Sequence, residues 1–259
     1  MSDKISQIEH YFYNNKKNLI HKWDHYFEIY DRHLQKYKNK DIVLLEVGVS
    51  RGGSLQMWSD YFGKGSKFFG IDIDPRCKEF ESENTKLFIG SQSDKKFLSY
   101  VKKNIPPIDI LIDDGGHYMN QQKTLFEYFF DHIKKDGVYL CEDTHSSYWL
   151  VFGGGYKRKG TFIEYSKNFI DMLNAYHSEQ RKFKISNFTK SVNSIHYYDS
   201  VLVIEKKERR KPKDVVSGNL SFGGKAITDY KPNIKPYFKN KYHGMLNRIL
   251  RIFNFKNIL

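Results

Sequence analysis

From Asp41 onward the chain repeats one unit: a short apolar run of strand length, an exit bearing Gly or Asp, then a helical pattern. Five such runs occur, Ile42 to Val49, Lys67 to Ile73, Lys86 to Ile89, Ile108 to Ile112 and Val138 to Cys141. The helical pattern between them is clearest at Leu125, Phe126, Phe129, Phe130 and Ile133, closed by Asp136-Gly137. Alternation of this kind predicts an α/β fold with a parallel sheet, since a crossover helix returns the chain to begin each neighbouring strand in the same direction. Lys182 to Phe188 and Ser200 to Glu205 predict a closing pair of strands at the sheet edge. Ahead of the repeat, residues 7 to 38 space Ile8, Tyr11, Phe12, Leu19, Ile20, Trp23, Tyr26, Phe27, Tyr30 and Leu34 as amphipathic helices do. After Gly153-Gly154-Gly155, a helix is predicted over Thr161 to His177, with Phe162, Phe169, Ile170 and Leu173 on one face.

The charge is uneven. Of 43 Lys and Arg in 259 residues, 14 lie between 206 and 259 against three acids there, so the body is close to neutral. A basic tail on a neutral body suits an anionic membrane surface or an acidic partner better than a groove for nucleic acid. The domains expected are 1–40, a helical N-terminal segment; 41–206, the catalytic domain; and 207–259, the basic tail. At the end of that tail, Met245, Leu246, Ile249, Leu250, Ile252 and Phe253 beside Arg248, Arg251 and Lys256 read as a basic amphipathic helix. Cys77 and Cys141 match neither a disulfide framework nor a zinc cluster. No long apolar run and no signal-peptide order at Met1-Ser2-Asp3-Lys4 is found, so a cytoplasmic protein is expected.

The first strand ends Leu45-Glu46-Val47-Gly48-Val49-Ser50-Arg51-Gly52-Gly53-Ser54 and runs into a helix. Glycines there bring bare backbone N–H groups, and the helix N-terminus, against a ligand. Gly48, Ser50 and Ser54 are therefore candidate binding residues. The spacing differs from the dinucleotide fingerprint, and Glu46 would repel a pyrophosphate. S-adenosylmethionine carries no phosphate; its ammonium suits an acid such as Glu46, and its carboxylate suits a helix N-terminus. Asp72, closing the second strand, can accept hydrogen bonds from both ribose hydroxyls. Ser91 and Gln92, after the third strand, are assigned to adenosine.

Acidic pairs close the fourth and fifth strands, Asp113-Asp114-Gly115-Gly116-His117 and Glu142-Asp143-Thr144-His145. Carboxylates crowded at one edge repel unless protonated or held by a cation, and an all-oxygen set suits Mg²⁺ or Mn²⁺. His117 is the candidate general base and His145 its competitor.

These runs, with Gly70-Ile71-Asp72-Ile73-Asp74, resemble the metal-dependent sugar O-methyltransferases of the macrolide pathways, within the class I S-adenosylmethionine methyltransferases. The resemblance covers residues 41 to about 150. It implies Asp114, Glu142 and Asp143 as magnesium ligands, His117 as base, Asp113 beside the cofactor, and a Rossmann-like sheet of seven strands with the last antiparallel. The prelude Ile20-His21-Lys22-Trp23-Asp24-His25-Tyr26 and Tyr30 is similar to a segment that lies near the active site of relatives. His25, Tyr30, His145 and Tyr148 are then the substrate-side candidates. A sugar hydroxyl, nucleotide-linked or glycan-linked, is the expected acceptor, a homo-oligomer the expected assembly, and the inner membrane face a possible address for the tail. Three rival functions fit parts of the same sequence: an iron-dependent hydroxylase using Asp114, His117 and His145, a nucleic-acid methyltransferase or RNA-binding protein, and a non-catalytic scaffold docking on a membrane through the tail.

Overall fold

The structure is a computed structural model that describes residues 5–180, 182–224 and 234–253, the side chains of 234–241 and of Arg251 excepted. The chain divides into two units, Met1–Pro212 and Lys213–Leu259.

In the first unit two helices, α1 (Gln7–Asn14) and α2 (Tyr26–Leu34), precede β1 (Val43–Val47), α3 (Gly53–Tyr61), β2 (Lys67–Asp72) and β3 (Thr85–Ile89). Then come α4 (Lys95–Asn104), β4 (Ile108–Asp113), α5 (Met119–Phe129), β5 (Ile133–Cys141), α6 (Phe162–Ser166), α7 (Asn168–Asn174) and α8 (Asn187–Ser191). Two last strands, β6 (Val192–Tyr197) and β7 (Leu202–Lys206), complete one seven-stranded sheet of order β3-β2-β1-β4-β5-β7-β6. Strands β1 to β5 pair in parallel, while β7 runs antiparallel to both β5 and β6. This is the Rossmann-like methyltransferase sheet, with its last strand reversed.

Because side chains alternate along a strand, the sheet carries a core on each face. Leu44, Ile110, Ile112 and Leu140 meet Tyr26, Tyr30, Leu34 and Trp58 on one side. Leu45, Val47, Leu111 and Tyr139 meet Leu98, Leu125, Phe126 and Phe129 on the other. Removing a side chain such as Trp58 or Phe129 from water contributes about 1.5–3 kcal/mol each. Helix starts are fixed locally: the Asp94 carboxylate accepts from the Lys96 and Phe97 N–H groups and begins α4.

Register sets the edge that matters. Val47 lies opposite Ile71 on one side and Asp113 on the other, and Asp113 lies opposite Cys141. Gly48, Asp72, Asp114 and Glu142, each one residue further on, therefore leave the sheet side by side.

Three expectations are corrected. Residues 182–188 make no strand, because the Ser186 hydroxyl accepts from the Thr189 N–H and turns the chain into α8; the strand is Val192–Tyr197. The helix predicted over 161–177 breaks between α6 and α7, and Ile170 is exposed rather than inward. In the prelude α1 and α2 are the α-helices, with a 3₁₀ turn at Gln35–Tyr37 after α2, and residues 15–25 run as an irregular strap between them. That strap packs close: a Cβ at Gly53, the first residue of α3, would stand 2.4 Å from the Leu19 carbonyl oxygen.

In the second unit the described element is α9 (Ile234–Ile252), with Met245, Ile249 and Ile252 exposed. Lys225, Lys231 and Lys256 of the basic tail lie outside the described residues, as does the side chain of Arg251. No helix among the described residues is long and apolar enough to cross a membrane.

Candidate active site

The strand exits open on a cavity of about 530 Å³, within the range of small-ligand sites. Its floor is the β1 turn, where Gly48, Ser50 and Gly52 all adopt positive φ, of 92°, 51° and 75°. A Cβ on Gly48 would stand 1.9 Å from the Asp114 carbonyl oxygen, so only glycine lets the β1 and β4 exits touch. Ser50 and Ser54 line the same cavity, at the N-terminal end of α3.

Asp72 lines the cavity as expected from its position. Its Oδ2 accepts from the Ser50 N–H at 2.8 Å and its Oδ1 from the Asp74 N–H at 2.8 Å. A carboxylate oxygen has two acceptor sites, so the pair retains capacity for a diol while its orientation is fixed. Ser91 also lines the cavity.

Gln92 lines the cavity too; its side-chain amide donates to Asp113 Oδ1 at 3.1 Å and accepts from the Gly116 N–H at 2.8 Å, bracing the β3 exit on the β4 exit. Two cofactor-side expectations meet a different geometry. Asp113 is buried, does not line the cavity, and is pushed up to about 7 by that burial. Glu46 is fully buried and does not line the cavity; its carboxylate accepts from Ser54 Oγ at 2.8 Å and Trp58 Nε1 at 3.2 Å. Burial outweighs the pull of Lys22 and these donors and pushes Glu46 up to about 7. Glu46 thus reaches the cavity through Ser54.

The acidic centre stands at the far wall. Asp114, His117 and Asp143 each offer one donor atom, and the three lie within 4.8 Å of one another. His117 Nε2 is 3.5 Å from Asp143 Oδ2 and 3.9 Å from Asp114 Oδ1. His117 and Asp143 both hold positive φ, of 57° and 51°. Non-glycine residues in that region cost of order 1–3 kcal/mol each, and they persist where surroundings over-determine them. Here the surroundings are visible: Ser146 Oγ donates to the His117 carbonyl, and the Tyr26 hydroxyl donates to Asp143 Oδ1 at 2.7 Å.

Glu142, expected as a ligand, lines the cavity although almost fully buried, and both its oxygens have partners. Tyr30 donates to its Oε1 at 2.7 Å, and Lys22 Nζ lies 2.8 Å from its Oε2 and 2.6 Å from Asp114 Oδ2. Burial and the neighbouring Asp114 push Glu142 above the usual carboxylate range, while Lys22 and Tyr30 pull it back. Lys22 is held above its ordinary value by Asp114, Glu142 and Glu46 despite its burial. Lys22 and Tyr26 carry no assigned role in the sequence reading. The signal for them is the spacing of Tyr26 and Tyr30, one turn apart on the buried face of α2, and a lone lysine in the strap.

The donor set fits a hard divalent ion. Carboxylates predominate, they outnumber the single ammonium among them, and a histidine stands within reach.

None of the four substrate-side candidates lines the cavity. Tyr30 is fully buried and serves Glu142 instead. The His25 ring lies 3.1 Å from the Asp199 carbonyl oxygen. His145 packs against Trp149, with centroids 4.5 Å apart, and edge-on to Trp23, which does line the cavity. Tyr148 is exposed. The trio Asp114, His117 and His145 of an iron hydroxylase is not assembled: Asp143, not His145, completes the group.

This sheet order, with a glycine turn after β1 and an acid closing β2, defines the class I methyltransferase fold. No family model matches the sequence. Among curated proteins the chain is 31% identical over 202 residues to demethylmacrocin O-methyltransferase of Streptomyces fradiae, covering 73% of this chain and 51% of that one. It is 29% identical over 213 residues to mycinamicin VI 2''-O-methyltransferase of Micromonospora griseorubida, covering 78% and 52%. Identity is 30% over 191 residues to the 8-demethyl-8-alpha-L-rhamnosyl tetracenomycin-C 2'-O-methyltransferase of Streptomyces olivaceus, covering 70% and 50%. The chain spans about half the length of these relatives. Among solved structures, the MycE methyltransferase of the mycinamycin pathway in complex with Mg and SAH superposes with a TM-score of 0.69 at 27% identity, over 79% of this chain and 54% of that one. The chain has the class I methyltransferase fold, and the macrolide-type sugar O-methyltransferases are its homologues.

Proposed function

We propose that this chain transfers the methyl group of S-adenosylmethionine to a sugar hydroxyl, with Mg²⁺ or Mn²⁺ at the acidic centre and His117 as general base. The observation that carries the reading is the meeting of a glycine turn, a diol-binding aspartate and a carboxylate–imidazole group on one cavity. The relatives support it, being named O-methyltransferases, one of them for a rhamnosyl compound. MycE, solved with Mg and SAH, supports the cofactor and the ion.

Asp72 accepts the ribose hydroxyls, and Ser50 and Ser54 with the N-terminal end of α3 receive the methionine carboxylate. Asp114 and Asp143 hold the divalent ion. Bound there, the cofactor would supply the methyl group and the ion would lower the pKa of the acceptor hydroxyl. His117 takes that hydroxyl's proton at Nε2, which lies 3.5 Å from the Asp143 carboxylate. Tyr26, Tyr30 and Lys22 hold the acids in place beforehand, so little reorganisation accompanies the reaction. The acceptor class is a sugar with a free vicinal diol, nucleotide-linked or carried on a glycan or glycoside. A surface-polysaccharide role belongs to the same reading.

Calorimetry with S-adenosylmethionine and S-adenosylhomocysteine, then a screen of activated sugars and glycosides with Mg²⁺ or with EDTA, tests it. Both nucleosides are expected to bind, and EDTA to stop transfer; failure of either nucleoside to bind removes the assignment. His117→Ala is expected to lower turnover by about 10²–10⁴-fold while S-adenosylhomocysteine affinity stays as it was. Unchanged turnover would exclude His117 as the base.

A further inference from the structure

We infer that His33, His196 and Glu205 form a second metal site, for a divalent transition ion of the Zn²⁺ class, where α2 meets the antiparallel pair β6 and β7. None of the three lines the catalytic cavity. Each offers one donor atom, and the three atoms lie within 4.8 Å of one another. His33, near the end of α2, is almost fully buried, with Nδ1 2.9 Å from Glu205 Oε1 and Nε2 2.8 Å from the Tyr198 hydroxyl. His196 on β6 faces the same space, its ring centroid 4.6 Å from that of His33. Ser194 links the other two, its hydroxyl donating to Glu205 Oε2 at 3.3 Å and lying 3.0 Å from His196 Nε2.

The chemistry of the set selects the ion. Two imidazoles and one carboxylate are the donors of Zn²⁺ and its neighbours, whereas Mg²⁺ takes oxygen almost throughout. A four-coordinate ion with bonds of about 2.0–2.2 Å spreads its donors about 3.3 Å apart. The gap between His33 and Glu205 has only to open by a few tenths of an ångström. With Nδ1 on the ion, the His33 proton sits on Nε2 and is donated to the Tyr198 hydroxyl. A hydrogen-bonded partner on the far ring nitrogen is what fixes a metal-binding imidazole in one tautomer. Glu205, 26% exposed, gives the ion a way in and leaves a fourth position for water. Bound there, the ion ties α2, which carries Tyr26 and Tyr30, to the reversed edge of the sheet.

The test uses the full chain with the acidic centre saturated by Mg²⁺, titrated with Co²⁺ and followed by visible absorption. One equivalent of Co²⁺ is expected to give the intense bands of a four-coordinate site, and Zn²⁺ is expected to bleach them and to raise the Tm. His196→Ala and Glu205→Gln are expected to lose the bands, and Tyr198→Phe to weaken binding about tenfold or more. Absence of intense bands in the wild-type protein overturns the inference. So do bands that survive His196→Ala, since the ion then sits elsewhere. S-adenosylhomocysteine affinity, read in the same samples, reports on the catalytic cavity independently of either result.

Discussion

Lys22 stands between two carboxylates that would repel one another without it, 2.6 Å from Asp114 and 2.8 Å from Glu142. Breaking a buried pair from one side leaves the remaining charge without a partner, at about 3–5 kcal/mol. Lys22→Met, which keeps the length and removes the charge, is therefore expected to lower stability by about that amount in denaturant unfolding with EDTA present. A loss below about 1 kcal/mol would mean the pair behaves as an exposed one. Glu46 makes a pH prediction. Its folded value of about 7 lies above the ordinary 4.5, so the folded state binds the extra proton. Its contribution to stability is then full below about pH 4.5 and is lost as the pH rises through about 7. Glu46→Gln, a permanent neutral mimic, is expected to gain on the wild type between pH 5 and pH 8, by about 3 kcal/mol at most. Parallel stability curves for the two proteins would contradict this.

At the scale of elements, the site is a consequence of register. Val47, Ile71, Asp113 and Cys141 lie level, so the next residue of each strand falls on one edge. Gly48→Ala attacks that arrangement directly, both by its positive φ and by a Cβ 1.9 Å from the Asp114 carbonyl oxygen. It is expected to lower the Tm by several degrees and to weaken S-adenosylhomocysteine binding at least about tenfold, by calorimetry. Wild-type binding in this variant would show that the β1 and β4 exits need not touch. Much of this edge was legible in the sequence, because apolar runs that end in Gly or Asp announce both the strand and its exit. Asp72, Asp114 and His117 could be read that way. The strap could not: Leu19, Ile20 and Trp23 continue a helical spacing, and only packing against Gly53 takes residues 15–25 out of a helix and sets Leu19 to Trp23 on the cavity. Asp113 and Glu46 stand at the expected strand ends, but which way a side chain turns there depends on burial by neighbouring elements. The strand placed at 182–188 failed for a local reason, the Ser186 cap that starts α8.

Across the whole molecule, the strand exits of one sheet and the start of α3 supply the groups the proposed chemistry uses, and α2 with the strap ahead of the sheet supports them. Tyr26 and Tyr30 reach from α2 to the acids that close β5, and Lys22 reaches there from the strap. The site is therefore assembled from residues far apart in the chain, and those named above all lie within Met1–Pro212. Diffraction from crystals soaked with S-adenosylhomocysteine and Mn²⁺, with anomalous data at the manganese edge, locates both groups at once. The ribose is expected on Asp72 and an anomalous peak between Asp114 and Asp143, beside His117. A nucleoside bound away from the β1 turn, or no peak between those two carboxylates, would contradict this arrangement.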